Sequence, residues 1–149
     1  MQPHILLFRA KLLAVFTLTV VLTSAVAQAQ APGVTNQPLG FGQAPYADAV
    51  DGPADIALAR VTLDPGRGSG WHSHPGPGWV IVTIGTLSLY RLDGCQTVYP
   101  AGMAFREEPG EVHDARNNTT EPVEFLVSFT VPAGAPLLSL ETANPDECR

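Results

Sequence analysis

Three histidines are the residues of this sequence best suited to chemistry. His72 and His74 are two positions apart, so on a strand both imidazoles lie on the same face. His113 follows much later in the chain. Imidazole is a common ligand of zinc, copper, iron and nickel. The pattern therefore predicts one metal site if the fold brings the two segments together, although an H-x-H pair beside glycines is also common at exposed positions.

The start of the chain has the pattern of a secretory signal peptide. Two basic residues precede an uncharged apolar stretch over residues 12–22, and Ala25 and Ala27 form an A-x-A cleavage pattern. This stretch is shorter than the roughly 18–20 residues that a membrane span needs. We therefore expect residues 1–27 to be removed, which leaves a periplasmic or extracellular protein with no stable membrane span.

Charge and composition exclude two classes of function. The chain has 14 acidic residues against 8 lysines and arginines, a formal charge of −6, and loss of Arg9 and Lys11 with the signal peptide makes it more negative still. A surface of this charge repels phosphate backbones, so no nucleic-acid partner is expected. No lysine follows Lys11, which excludes Schiff-base chemistry in the mature protein.

The two cysteines, Cys95 and Cys148, both lie in the exported part. In an oxidising compartment a pair of cysteines predicts a disulfide. This bond would tie the end of the chain to the domain. A cysteine so close to the C-terminus is also able to pair between chains, and the sequence leaves both alternatives open.

The remaining sequence predicts one all-β domain. Residues 28–52 are rich in Ala, Pro, Gly and Gln without periodicity and form an extended, partly disordered lead segment. From 53 to 135, short apolar runs alternate with Gly and Pro turns, which indicates a single antiparallel β-sandwich or closed barrel. Residues 136–149 form a tail. Strands are predicted over residues 56–63, 79–84, 86–92, 96–99, 112–116 and 123–131.

The run over residues 79–84 is apolar at every position except Thr83. It therefore predicts a strand that is buried on both faces. Residues 86–92 instead alternate, with Leu87 and Leu89 on one face. Gly85 between the two runs indicates a tight hairpin.

Glycines extend the pattern around the first two histidines. Gly66 is followed by five residues and then by His72 and His74. Three residues separate His74 from Gly78, and six more separate Gly78 from Gly85. This segment resembles the first motif of the cupin superfamily, G-x5-H-x-H-x3,4-E-x6-G.

A second gapped pattern surrounds the third histidine. Gly102 is followed by five residues, then by Glu108, Gly110, His113 and Asn117. This segment resembles the second cupin motif, G-x5-P-x-G-x2-H-x3-N, with Glu108 in place of the proline.

The resemblance covers residues 56–131 and implies a small antiparallel β-barrel or jelly roll. It also implies that His72, His74 and His113 are ligands of one divalent metal ion, which is iron, manganese, zinc, nickel or copper. Small molecules are the substrates or ligands of such proteins, and many of them form homodimers.

The sequence departs from the cupin pattern at the fourth ligand. The first motif has a glutamate where this chain has Gly78, and Trp79, at the alternative spacing, cannot bind a metal either. One hypothesis is that Gly78 leaves a coordination position open to water or substrate. The other is that Gly78 serves a positive φ in a turn and that Glu107, Glu108 or Glu111 supplies the oxygen. These glutamates otherwise indicate a solvated turn.

Two functions are compatible with this sequence. A three-histidine site could serve a small dioxygenase-like enzyme that acts on an anionic, chelating small molecule. The alternative is a non-catalytic cupin module that binds or senses a small ligand. No general base or nucleophile–base pair is evident in the sequence. Three aromatic residues, Trp71, Trp79 and Phe105, are candidates to line a pocket or to belong to the core.

Overall fold

The structure is a computed structural model that describes residues 32–143. The predicted signal peptide and Cys148 lie outside the described residues, so export and the Cys95–Cys148 disulfide stay predictions. Within residues 32–143, no helix has the length and apolar character needed to cross a membrane.

Ten strands and one short 3-10 turn, at Asp48–Val50, make up the described structure. In chain order the strands are β1 (Val34–Ala47), β2 (Gly52–Leu63), β3 (His72–Ser73), β4 (Gly78–Ile84), β5 (Thr86–Arg91), β6 (Gln96–Pro100), β7 (Ala104–Glu107), β8 (His113–Arg116), β9 (Val123–Pro132) and β10 (Ser139–Leu140).

The strands form two antiparallel sheets of five strands each. The first sheet has the order β1-β2-β9-β4-β7, and the second has the order β10-β3-β8-β5-β6. Chain neighbours are rarely sheet neighbours in this arrangement, which is that of a jelly roll. The predicted all-β jelly-roll fold is confirmed.

Alternating side chains of β9 build the core between the sheets. Val123, Phe125, Val127, Phe129 and Val131 are buried, and the residues that alternate with them are more exposed. Leu87 and Leu89 of β5 are both fully buried, as the alternation in the sequence predicted. Burying a valine or leucine side chain completely stabilises a fold by roughly 1.5–3 kcal/mol, so this layer holds the two sheets together.

The prediction that β4 is buried on both faces is wrong. Val80 and Val82 point into the core, whereas Trp79, Ile81 and Ile84 are 59%, 42% and 55% exposed. The strand is apolar throughout because its outer face is an apolar surface. Composition alone does not separate that case from burial on two faces.

The lead segment differs from its prediction in one respect. Residues 34–47 form β1, which pairs antiparallel with β2 along nearly its whole length. Most of its side chains are exposed. Backbone pairing to β2, rather than burial of side chains, therefore holds this strand, and for this reason it has no hydrophobic periodicity.

Asn117, at the end of the second motif, is a buried structural residue. Its amide group donates to the carbonyls of Leu63 at 3.0 Å and Glu121 at 2.8 Å, and its side-chain oxygen accepts from the Thr119 backbone at 2.9 Å. These bonds join the end of β2 to the turn before β9. Although Asn117-Asn118-Thr119 matches a glycosylation pattern, a glycan on Asn117 is incompatible with this fold.

Candidate metal centre

Two neighbouring strands bring the histidines together. His72 begins β3, His113 begins β8, and the two residues are direct cross-strand partners. His74 follows β3 immediately, on the same face as His72. The β8 end is tied to this segment because the Gly110 backbone donates to the His74 carbonyl at 2.8 Å. The pairing of β3 with β8 therefore brings together histidines that are far apart in sequence.

The three imidazoles form one compact, buried cluster. Their ring centroids lie 4.5 Å apart for His72 and His113, 4.8 Å for His72 and His74, and 5.3 Å for His74 and His113. One ring nitrogen from each lies within 4.8 Å of the others. Small side-chain rotations would place all three nitrogens on one ion at the 2.0–2.1 Å typical of zinc–imidazole bonds.

Backbone carbonyls fix the orientation of all three rings. A carbonyl oxygen only accepts hydrogen bonds, so each Nδ1 facing one must carry the proton, and Nε2 of the neutral ring is then a bare lone pair. Carbonyl partners of this kind orient histidine ligands in metal sites. The carbonyls that face His72, His74 and His113 belong, in that order, to Gly70 at 2.7 Å, Leu137 at 2.7 Å and Glu111 at 3.0 Å.

Two of the inward nitrogens have no hydrogen bond within the described residues. His74 Nε2 and His113 Nε2 are buried without a hydrogen bond. Buried polar atoms in folded proteins nearly always have one. A cluster of unprotonated nitrogens that converge without partners is the arrangement that a divalent cation completes, so the donor set fits a metal ion.

Glu107 adds a carboxylate to this cluster, and it is one of the three glutamates that the sequence offered as an alternative source of the fourth oxygen. Its side chain is 6% exposed, with Oε1 at 3.3 Å from His113 Nε2 and Oε2 at 3.5 Å from His74 Nε2. The interpretation as a solvated turn is wrong for this residue. It holds better for Glu108 and Glu111, which are at least partly exposed and form ion pairs elsewhere.

Gly78 lies directly opposite Glu107 in the β4–β7 pairing. A Cβ at position 78 would collide with Oε2 of Glu107 and would lie 3.0 Å from the Phe129 ring. Gly78 has no positive φ. The turn requirement therefore does not account for this glycine, and its lack of a side chain makes room for a neighbouring carboxylate.

The predicted aromatic candidates do not surround the histidines. Trp79 points outward, and Phe105 packs against the core and stacks on Tyr99 with centroids 4.1 Å apart. Trp71 is half-buried. Instead, Phe129 of β9 contacts the site, with its ring centroid 4.3 Å from that of His74. Its inward position follows from the alternation of β9.

Burial keeps two of the histidines neutral. Desolvation, with the nearby His113 as a second cause, lowers the pKa of His72 to about 4. Desolvation also lowers the pKa of His74. Neutral imidazole is the form that binds a metal, so both rings are ready to do so near pH 7.

His113 and Glu107 form a coupled buried pair. Burial alone would lower the pKa of His113, but the ionised Glu107 carboxylate, 3.3 Å from its Nε2, outweighs burial and raises that pKa. Burial would raise the pKa of Glu107, and His113 outweighs it in turn, so that pKa is lowered. The carboxylate is therefore ionised beside the three rings.

The stability of the metal-free protein should fall as the pH drops from about 6.5 towards 4. The unfolded chain takes up a proton at His72 in this range, whereas the folded protein does not, which costs roughly 3 kcal/mol at this residue alone. His74 acts in the same direction. The contribution of His113, whose pKa is raised, is already complete below 6.5. Urea unfolding in the presence of a chelator measures this, and equal stability near pH 7 and pH 4.5 would contradict it.

Comparison with known proteins agrees with the resemblance seen in the motifs. Residues 59–129 match the Cupin_2 family model, described as a cupin domain. No curated protein matches the chain significantly.

Several solved structures share the fold. A conserved double-stranded β-helix protein of Klebsiella pneumoniae is 25% identical, with a TM-score of 0.52 over 71% of this chain and 85% of that one. The polyketide cyclase RemF of Streptomyces resistomycificus is 19% identical, with a TM-score of 0.60 over 81% and 80%. Oxalate oxidase is 25% identical, with a TM-score of 0.51 over 57% of this chain and 45% of that one.

The motifs, the two-sheet topology, the family model and the solved structures all point to the same fold. Residues 59–129 of this chain therefore form a cupin-type domain.

Proposed function

We infer that this protein is an exported metal-binding cupin that acts as a small dioxygenase-like enzyme on an anionic, chelating small molecule. The observation that carries the proposal is the convergence of three buried imidazoles whose Nδ1 atoms are all held by carbonyls. That arrangement leaves the three Nε2 atoms available as metal ligands.

His72, His74 and His113 would hold the ion, and iron, manganese, zinc, nickel and copper all suit this donor set. A bound divalent ion would supply Lewis acidity for a chelating substrate and, where it is redox-active, a means of reaction with O₂. The protein itself orients the rings, keeps His72 and His74 neutral by burial, and excludes water through Phe129 and the core behind it.

Charge supports the anionic substrate class. A divalent ion bound by neutral imidazoles would keep a net positive charge even beside one carboxylate, and this charge would attract an anion into a poorly solvated site. Oxalate oxidase, one of the proteins with a similar fold, acts by its name on a small chelating dianion. Small chelating anions are therefore the first substrates to test with this protein.

The proposal that the protein is exported rests on the signal-peptide pattern of residues 1–27.

The apolar outer face of the first sheet supports a homodimer. Register places Leu58 and Trp79 in one row across β9, and Leu126 and Ile81 in the next row. Contiguous exposed apolar patches often mark interaction sites.

The test starts with protein isolated from the periplasm or culture medium. Its metal content is measured, and oxygen uptake is then recorded with small carboxylic acids, thiols and diketones. A dioxygenase places both atoms of O₂ in its product, so we expect one O₂ consumed for each product formed. Tight binding of an acid without turnover would support the binding module instead, and metal-free protein would contradict the proposed enzyme.

A further inference from the structure

We propose that Glu107 is the fourth protein ligand of the metal, delivered by β7 from across the pairing with Gly78. The proposal deepens the proposed function, because it specifies the donor set on which substrate binding would depend.

The first support is distance. Two ligand atoms that each lie about 2.1 Å from one ion are about 3.0 Å apart at a right angle and about 3.4 Å apart at the tetrahedral angle. Glu107 Oε1 lies 3.3 Å from His113 Nε2, and Oε2 lies 3.5 Å from His74 Nε2. The distances from the carboxylate oxygens to the two histidine nitrogens therefore match those between ligand atoms that share one ion.

The second support is the absence of a matching donor. Each Nδ1 proton is directed to a carbonyl, so the neutral rings present lone pairs to the carboxylate. Within the described residues, Glu107 Oε2, His74 Nε2 and His113 Nε2 are buried and have no hydrogen bond. An anion held against lone pairs at low dielectric is repelled unless a positive charge lies between them, either a metal ion or a proton on His113 Nε2.

The third support is the lack of a side chain at Gly78, the cross-strand partner of Glu107. Because a Cβ at position 78 would collide with Glu107 Oε2, a side chain at 78 and this position of the carboxylate exclude each other. Gly78 and Glu107 are cross-strand partners, so either residue could direct a carboxylate into the same space. This chain places it on β7.

The experiment measures binding of Co²⁺ and its visible absorption, which reports the ligand set, with the activity assay left out. Glu107→Gln keeps the size of the side chain and removes its charge. We expect it to weaken Co²⁺ binding by at least about tenfold and to change the spectrum. The matched control is Glu108→Gln, whose exposed carboxylate pairs with Arg106; its affinity and spectrum should equal those of the unmodified protein.

A double-mutant cycle separates ligation from a structural role. Gly78→Ala should weaken Co²⁺ binding by displacing the Glu107 carboxylate, and it should have little further effect in a Glu107→Ala background. Should Glu107→Gln misfold, Glu107→Asp, which keeps the charge but withdraws the oxygens by one methylene, serves in its place with the same expectation.

Unchanged Co²⁺ affinity and spectrum in Glu107→Gln would overturn the proposal, as would fully additive effects in the cycle. Both results presuppose that the unmodified protein binds Co²⁺. Failure of that binding would instead contradict the proposed function itself, so the two failures are distinguishable.

Discussion

His113→Ala should abolish metal binding at this site. His113 is fully buried, is the cross-strand partner of His72, and lies 3.3 Å from the Glu107 carboxylate. The variant removes one of three imidazoles, so the loss should exceed the roughly 10- to 100-fold that removal of an outer-shell partner costs. Equilibrium dialysis against Zn²⁺ at near-neutral pH measures the effect.

Ser73→Ala is the control for that experiment. Ser73 lies between His72 and His74, but its hydroxyl is directed outward to Glu141 at 2.8 Å. Its Zn²⁺ affinity should match that of the unmodified protein, and the far-ultraviolet circular dichroism of both variants should keep its β signature. Stoichiometric Zn²⁺ at unchanged affinity in His113→Ala would exclude the three-histidine site.

Metal removal should destabilise the protein strongly. A ligand that binds only the folded state adds about 4 kcal/mol of stability when its free concentration is 1,000 times its Kd. For a domain of this size, this corresponds to a rise in Tm of roughly 10–20 °C. The buried Nε2 atoms without partners are the structural reason, because the ion satisfies them.

Thermal unfolding with and without a chelator measures this difference. His113→Ala should show almost none of it, since the variant lacks the site. An equal Tm for loaded and chelated protein, at a Zn²⁺ concentration well above that needed for saturation, would contradict the account.

Period-two alternation in the sequence placed Leu87 and Leu89 in the core. This feature depends on local geometry, which a sequence carries directly. The convergence of His72, His74 and His113 depends on a long-range strand pairing, and it was predicted through the resemblance of the two gapped motifs to those of cupins.

The sequence did not single out Glu107 from the three candidate glutamates, because β7 has only four residues. A strand this short shows almost no periodicity, and the glutamates around it suggest a solvated turn. One signal was present: Phe105 and Glu107 alternate with Arg106, so a strand that buries Phe105 also turns Glu107 inward. The pairing of Glu107 with Gly78 is a long-range register, which a single sequence does not reveal.

The outer surface of the first sheet was missed for a related reason. Trp79 and Ile81 have the composition of core residues but lie on an exposed face. Similarly, β1 is held by backbone pairing to β2, which leaves no pattern in its side chains. In both cases the strands that lie next to β4 or β1 in the fold decide which of its side chains are exposed, and a single sequence does not reveal those neighbours.

The most direct test is a crystal structure of the protein soaked with Co²⁺, with anomalous scattering recorded at the cobalt edge. The account predicts one anomalous peak inside the domain, at about 2.0–2.2 Å from the Nε2 atoms of His72, His74 and His113. A peak bound elsewhere on the chain, or an empty centre in a crystal that contains saturating Co²⁺, would contradict it.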